Sequence, residues 1–271
     1  MNRQKTYNVG FTRIPAPHLL AFFAFILCCC MFAAPCSAAR ILAFGDSITY
    51  GLGSRSGGYP PKLQTLLNSH GKPATVISCG IPGERTPQGA ARFREIIRKE
   101  KPDIVLILEG ANDVKIGLPV EETRSALQQM LDICKKEKVT PVLATLTPSN
   151  RGNSEKLIPS TFNPMITNLA KENSVLLVDH YQAVAVDWSR ENADGIHPND
   201  LGYQVIAQDW YQTISPLISF TGAVIPPDNR STETPLLYGL LLLPFGYLIV
   251  RRIRSKKKTT SPFSKRFSTK S

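Results

Sequence analysis

Four short stretches of this chain carry residue types suited to acyl-transfer chemistry, and they follow one another at wide intervals. The first is Gly45-Asp46-Ser47-Ile48-Thr49. A serine placed where a strand gives way to a helix or turn has an exposed hydroxyl, with backbone N–H groups nearby to receive an oxyanion. An ordinary N-cap serine is the bland alternative. G-x-S-x-G, the nucleophile elbow of another hydrolase fold, is absent. The second stretch is Cys79-Gly80-Ile81-Pro82-Gly83-Glu84, where a glycine lets a bare backbone N–H approach a ligand, or merely makes a turn. The third is Glu109-Gly110-Ala111-Asn112-Asp113. Its Asn112 amide can donate to developing negative charge, unless the Asn-Asp pair only builds a loop. The fourth is Asp194-Gly195-Ile196-His197-Pro198. Three residues apart in a tight turn, the Asp194 carboxylate can reach His197 Nδ1–H and fix the tautomer. Nε2 is then free to take a proton from a serine.

Three other histidines compete with His197 for the role of base. His18 lies in an apolar N-terminal segment, and His70 precedes Gly71 where a helix ends. His180 is the serious rival, because Asp179-His180 also follows a strand. Adjacent side chains diverge, however, so those two cannot easily form an orienting hydrogen bond.

The elements that must position these residues are legible as an alternation. Arg40–Phe44, Thr75–Ser78, Ile104–Leu108, Val139–Leu146 and Ser174–Val178 read as buried strands. Helix-like stretches at 60–69, 86–100, 121–138, 160–172 and 200–215 fall between and after them. Continuous apolar strands alternating with helices predict an α/β domain, a parallel sheet covered on both faces. Such sheets bind substrate at the carboxyl ends of their strands, and the first three stretches sit there.

Taken together and in order, Gly45-Asp46-Ser47, Gly83, Gly110-x-Asn112-Asp113 and Asp194-x-x-His197 resemble the blocks of the GDSL or SGNH hydrolase family. The resemblance spans nearly all of residues 40–215. It is nearest to the bacterial thioesterase/lysophospholipase/arylesterase branch, with similar text in Gly80–Gly89 and Asp194–Asn199. It implies a flavodoxin-like three-layer sandwich with a five-stranded parallel sheet, and neither a metal nor another cofactor. It also implies roles: Ser47 as nucleophile, His197 as base, Asp194 as its orienter. The implied oxyanion hole is the Ser47 N–H, the Gly83 N–H and the Asn112 side chain. The implied substrate is a small-molecule or lipid acyl ester or thioester. O-acetyl groups on envelope polysaccharide are the alternative, and a catalytically silent envelope-binding protein is the opposing class.

The two ends of the chain speak about location. Residues 1–39 carry Arg3, Lys5 and Arg13, then an apolar run from Leu19 to Leu27, then Cys36-Ser37-Ala38-Ala39. That is the construction of a cleavable export signal, with an uncleaved N-terminal anchor as the alternative. A polar, proline-bearing stretch at 221–235 reads as a tether. Leu236–Val250 is apolar throughout, though short of the roughly 17–25 residues that span a bilayer. Basic residues follow it at once, in a tail over 251–271. Close relatives of the family end after their last helix, so a membrane anchor or envelope-sorting segment would be this chain's addition. The expected location is the periplasm or cell envelope, with the inner membrane holding the C-terminus.

The formal charge of +11 has to be divided before it is interpreted. Of 32 Lys and Arg, three lie in residues 1–39 and nine in 251–271, with no acid in either part. Residues 40–250 hold 20 basic against 21 acidic residues. The body is balanced, so the basicity speaks for membrane topology and not for nucleic acid as a partner. Four of the six cysteines lie in the export segment, which leaves Cys79 and Cys134. Their expected places near opposite edges of the domain predict two free thiols.

Overall fold

The computed structural model describes residues 37–225. Most of the expected export segment, the tether from Pro226 onward, the Leu236–Val250 stretch and the basic tail lie outside the described residues. Among the described ones the chain runs β1 (Ala39–Gly45), α1 (Ser47–Tyr50), α2 (Tyr59–Ser69), β2 (Ala74–Gly80), α3 (Thr86–Glu100) and β3 (Ile104–Leu108). It continues through α4 (Ala111–Ile116), α5 (Val120–Glu137), β4 (Thr140–Ala144) and α6 (Ser154–Leu157), a π-turn at Ile158–Phe162, and α7 (Asn163–Glu172). Then come β5 (Leu176–Val178), α8 (His180–Ala185), α9 (Trp188–Glu191), α10 (Asp200–Ile214) and a 3₁₀ turn at Ser215–Leu217.

The five strands pair in parallel in the order β2-β1-β3-β4-β5. β3 is buried at every position, and β1 at all but Arg40, because helices cover both faces of the central strands. Right-handed crossovers place α2 on one face and α3, α5 and α7 on the other, since the connection reverses direction after β2. α10 joins α2, with Trp210 against Tyr59 at 6.1 Å between ring centroids. On the opposite face Phe93 meets Phe44 edge-on at 4.8 Å. The order reverses between β1 and β3, and a crevice opens there at the carboxyl edge of a doubly wound sheet.

Several boundaries differ from the sequence expectation for identifiable reasons. β1 begins at Ala39, inside the expected export segment: this residue is buried and donates its N–H to Pro73 O at 2.8 Å. β4 stops at Ala144 instead of Leu146, because the Asn163 side chain clamps Leu146, accepting from its N–H and donating to its carbonyl. The helix expected at 160–172 starts earlier, at Ser154, and passes through a π-turn where Pro159 and Pro164 remove N–H donors. Short helices α1, α4, α8 and α9 were not foreseen, since four to six residues carry too little periodicity.

The domain also runs past Phe220. Ile225 donates its N–H to Leu217 O, Ser219 to Ala223 O, and Val224 packs on the core, so Thr221–Ile225 belong to the domain and not to a tether. Cys79 and Cys134 are both free; Cys134 is buried, which pushes its thiol up to about 12. No helix among the described residues is long and apolar enough to cross a membrane.

Candidate active site

Ser47 stands at the crevice because β1 ends in Gly45 and the chain turns at once into α1. A side chain at Gly45 would meet Leu108 O and Thr49 Oγ1, both at 2.3 Å, so only glycine allows so abrupt a turn. Asp46 caps α1 by accepting the Ile48 N–H at 2.9 Å. α1 then lies flat on the end of β2, where a Cβ on Gly80 would sit 2.2 Å from Tyr50 N. The Ser47 N–H, in the first turn of this helix, donates to no group among the described residues.

His197 arrives from the other end of the chain, on the loop before α10. Its Nε2 is 3.0 Å from Ser47 Oγ, and its Nδ1 is 2.8 Å from Asp194 Oδ2. Asp194 Oδ1 accepts the Ile196 and His197 backbone N–H groups at 3.0 and 2.9 Å, so one carboxylate shapes the turn and orients the ring. Partial burial pushes this carboxyl up, but the hydrogen bonds from His197 and Ile196 and the nearby imidazole outweigh it and hold it at about 2. The loop is tied in turn: Arg151 donates to Asp194 O at 3.0 and 2.6 Å, and Asn150 N–H to Gly195 O. Behind His197, Gly53 leaves no room for a Cβ, which would lie 2.5 Å from Pro198 O.

Asn112 faces the same cleft from α4, which starts immediately after β3. Its Nδ2 donates to Glu84 O at 2.8 Å and, more weakly, to Asp46 Oδ2 at 3.3 Å. The next residue, Asp113, accepts from Thr86 N–H and Thr123 Oγ1–H, which locks α4 to the starts of α3 and α5. Gly83 has φ +81°, is exposed, and sits one residue from the carbonyl that Asn112 holds. It is not among the residues lining the cleft beside Ser47.

Four of the five residues singled out in the sequence, Ser47, Asn112, Asp194 and His197, are thus gathered at one crevice, with Gly83 on the adjoining loop. His180 is not there. It is fully buried, with Nδ1 2.7 Å from Asp209 Oδ2 and its ring edge-on to Trp210.

Other groups at the site escaped the sequence reading. Beneath Asn112, Arg92 forms a bidentate pair with Glu84 and donates to Cys79 O. Glu109 is buried nearby with neither oxygen hydrogen-bonded among the described residues, and burial together with the Asp46 and Glu84 charges raises its carboxyl well above the usual range. Burial, outweighing the Ile48 N–H, pushes Asp46 up to about 7. No spacing rule links these residues. The outer wall was more accessible to inference: Thr147, Pro148 and Ser149 line the cleft just after β4, at another strand's carboxyl end.

The profile of the GDSL-like lipase/acylhydrolase family matches residues 43–205. An arylesterase of Vibrio mimicus is 28% identical over 195 residues, covering 70% of this chain and 95% of its own length. Thioesterase 1/protease 1/lysophospholipase L1 of Escherichia coli is 29% identical over 188 residues, covering 68% and 86%. An acetylxylan esterase of Xylanibacter ruminicola is 27% identical over 208 residues, covering 63% and 42%. Among solved structures, the lipase/acylhydrolase from Enterococcus faecalis superposes with a TM-score of 0.60 at 25% identity, over 67% of this chain and 97% of that one. With a matching profile over more than half its length and this doubly wound sheet, the chain belongs to the GDSL-like lipase/acylhydrolase family and is a hydrolase of ester bonds.

Proposed function

We propose that Ser47 is the nucleophile, His197 its general base and Asp194 the group that orients His197, in a two-step transfer through an acyl-enzyme. The observation that carries this reading is the unbroken line of contacts from Ser47 Oγ to His197 Nε2 and from His197 Nδ1 to Asp194, at 3.0 and 2.8 Å. Ser47 Oγ attacks the acyl carbonyl while Nε2 takes its proton. The carbonyl oxygen becomes an anion held by the Ser47 N–H, the Gly83 N–H and the Asn112 amide. Asn112 turns one amide hydrogen from Asp46, its longer contact, toward the substrate. His197 returns the proton to the departing alcohol or thiol, then activates water to release the acid.

The substrate is an ester or thioester with a small acyl group, of aryl ester, lysophospholipid or acyl-thioester type. A second reading, removal of O-acetyl groups from envelope polysaccharide, draws on the similarity to an acetylxylan esterase. A panel of p-nitrophenyl esters of rising chain length, run beside an acetylated glycan, separates the two. A fluorophosphonate probe tests the chemistry itself: labelling lost in Ser47→Ala is expected, and no labelling of the unmodified protein would leave a binding protein.

The same proposal includes export. Residues 1–39 deliver the domain across the membrane, Leu236–Val250 anchors it, and the basic tail stays in the cytoplasm. Truncation after Pro227 is expected to release a soluble protein with unchanged activity on a small ester. If the domain fails to fold without those residues, the anchor reading is wrong.

A further inference from the structure

The cleft beside Ser47 carries a cation that the acyl-transfer steps do not use. Lys115 lines it from α4 and forms no ion pair among the described residues. It lies three residues after Asn112, so the two side chains leave the helix on the same face, one turn apart. Thr147 and Ser154 also line the cleft; they are 2% and 6% exposed, and their hydroxyls make no hydrogen bond among the described residues. The cleft lining therefore combines an ammonium group and two buried hydroxyl residues with apolar Ala111 and Ile158.

The direction of the substrate follows from the proposed reaction. The departing alcohol needs a proton from His197, so it lies on the His197 side. The carbonyl oxygen lies at Asn112. The remaining direction, along α4 past Asn112 toward Lys115, is left to the acyl substituent. An acyl chain of a few carbons brings its far end within reach of the flexible Lys115 stem. The local charge suits an anion there. Glu84 is paired with Arg92 and Asp194 with His197, and burial drives Asp46 and Glu109 toward their neutral forms.

We propose that Lys115, in a cleft that Thr147 and Ser154 also line, forms an anion subsite at the acyl end of that cleft, and that the enzyme prefers esters whose acyl group ends in a carboxylate, such as monoesters of short dicarboxylic acids. This rests on the esterase reading of Ser47.

The test compares kcat/KM for 4-nitrophenyl hemisuccinate and 4-nitrophenyl pentanoate, in the full-length protein and in Lys115→Gln. The hemisuccinate-to-pentanoate ratio is expected to fall about fivefold in Lys115→Gln, the scale of a half-exposed ion pair. Lys115→Glu lowers it further, and added salt shrinks the ratio of the unsubstituted protein but not that of Lys115→Gln. A ratio that Lys115→Gln leaves unchanged overturns the proposal. So does an effect confined to 4-acetoxybenzoate, whose carboxylate is on the leaving group. Absence of both turnover and fluorophosphonate labelling would instead remove the Ser47 reading and this subsite with it. A labelled, active protein with an unchanged ratio removes the subsite alone.

Discussion

Two histidines in this molecule hold Nδ1 against a carboxylate oxygen, His197 with Asp194 at 2.8 Å and His180 with Asp209 at 2.7 Å. As pairs they are nearly the same object. Their surroundings differ in two ways. His197 presents Nε2 to a serine hydroxyl at a cleft, on a loop that its own partner carboxylate shapes through two backbone N–H groups. His180 is sealed between α8 and α10, with Nε2 lacking any partner and its ring against Trp210. In the proposed reaction the first pair moves a proton, while the second joins two helices. A histidine–carboxylate contact therefore says little about function until the far nitrogen is followed.

The sharpest way to break this comparison is to remove each imidazole. His197→Ala and Ser47→Ala are each expected to cut kcat by about 10⁴ or more, with the melting temperature nearly unchanged, because both sit at a surface cleft. The double variant should be scarcely worse than either single one, since the groups act as a unit. Multiplicative losses in that variant would separate their roles.

Asn112→Ala comes next. In the proposed reaction its amide binds charge that exists only in the transition state, so kcat should drop about 10²–10³-fold while KM barely moves. A change in KM alone would make Asn112 a substrate-positioning group.

His180→Ala should invert the pattern, lowering stability by about 2–3 kcal/mol through a buried cavity and an orphaned Asp209, while kcat stays within about threefold. Urea titration and steady-state rates on the same sample decide it. A collapse of kcat in a folded His180→Ala protein would erase the distinction drawn between the two pairs.

The smallest effect lies beneath the cleft, at Asp46. Its carboxyl is pushed up to about 7 from a usual 3.8, so between those values the folded protein keeps a proton that the unfolded chain has released. Stability from this group is fully present below about pH 4 and is lost as pH rises through about 7. Asp46→Asn keeps a capping acceptor without the charge, and should melt a few degrees above the unsubstituted protein at pH 8 with no difference at pH 4. An equal melting difference at both pH values would place the Asp46 carboxyl in its ordinary range.

Much of this was legible in the residues themselves, where a contact is local. The strands β1 and β3 are visible as apolar runs because both faces are covered. The Asp194–His197 turn is visible because an Asx-type turn and a ring contact need only three residues of spacing. Asn112 and Ser47 were found by looking just past strand ends. Looking in the same way past β4 would have found Thr147 and Ser149. His180 was demoted for a sound local reason, that Asp179 cannot orient it, yet its true partner is Asp209, 29 residues on.

What tertiary structure alone decided is which distant groups meet. Ser47 and His197 are 150 residues apart and close to 3.0 Å only because β1 lies inside the sheet, between β2 and β3, and α10 packs beside α2. The Asn112 amide reaches Glu84 O and Asp46 because the order β2-β1-β3 puts three strand ends side by side. The burial that raises Asp46 and Glu109 comes from the same convergence. Residue type and short spacing record hydrogen bonds within a turn and apolar faces within an element. Strand order is a choice among packings of the whole chain, so the contacts it creates leave no mark in the spacing of the residues that make them.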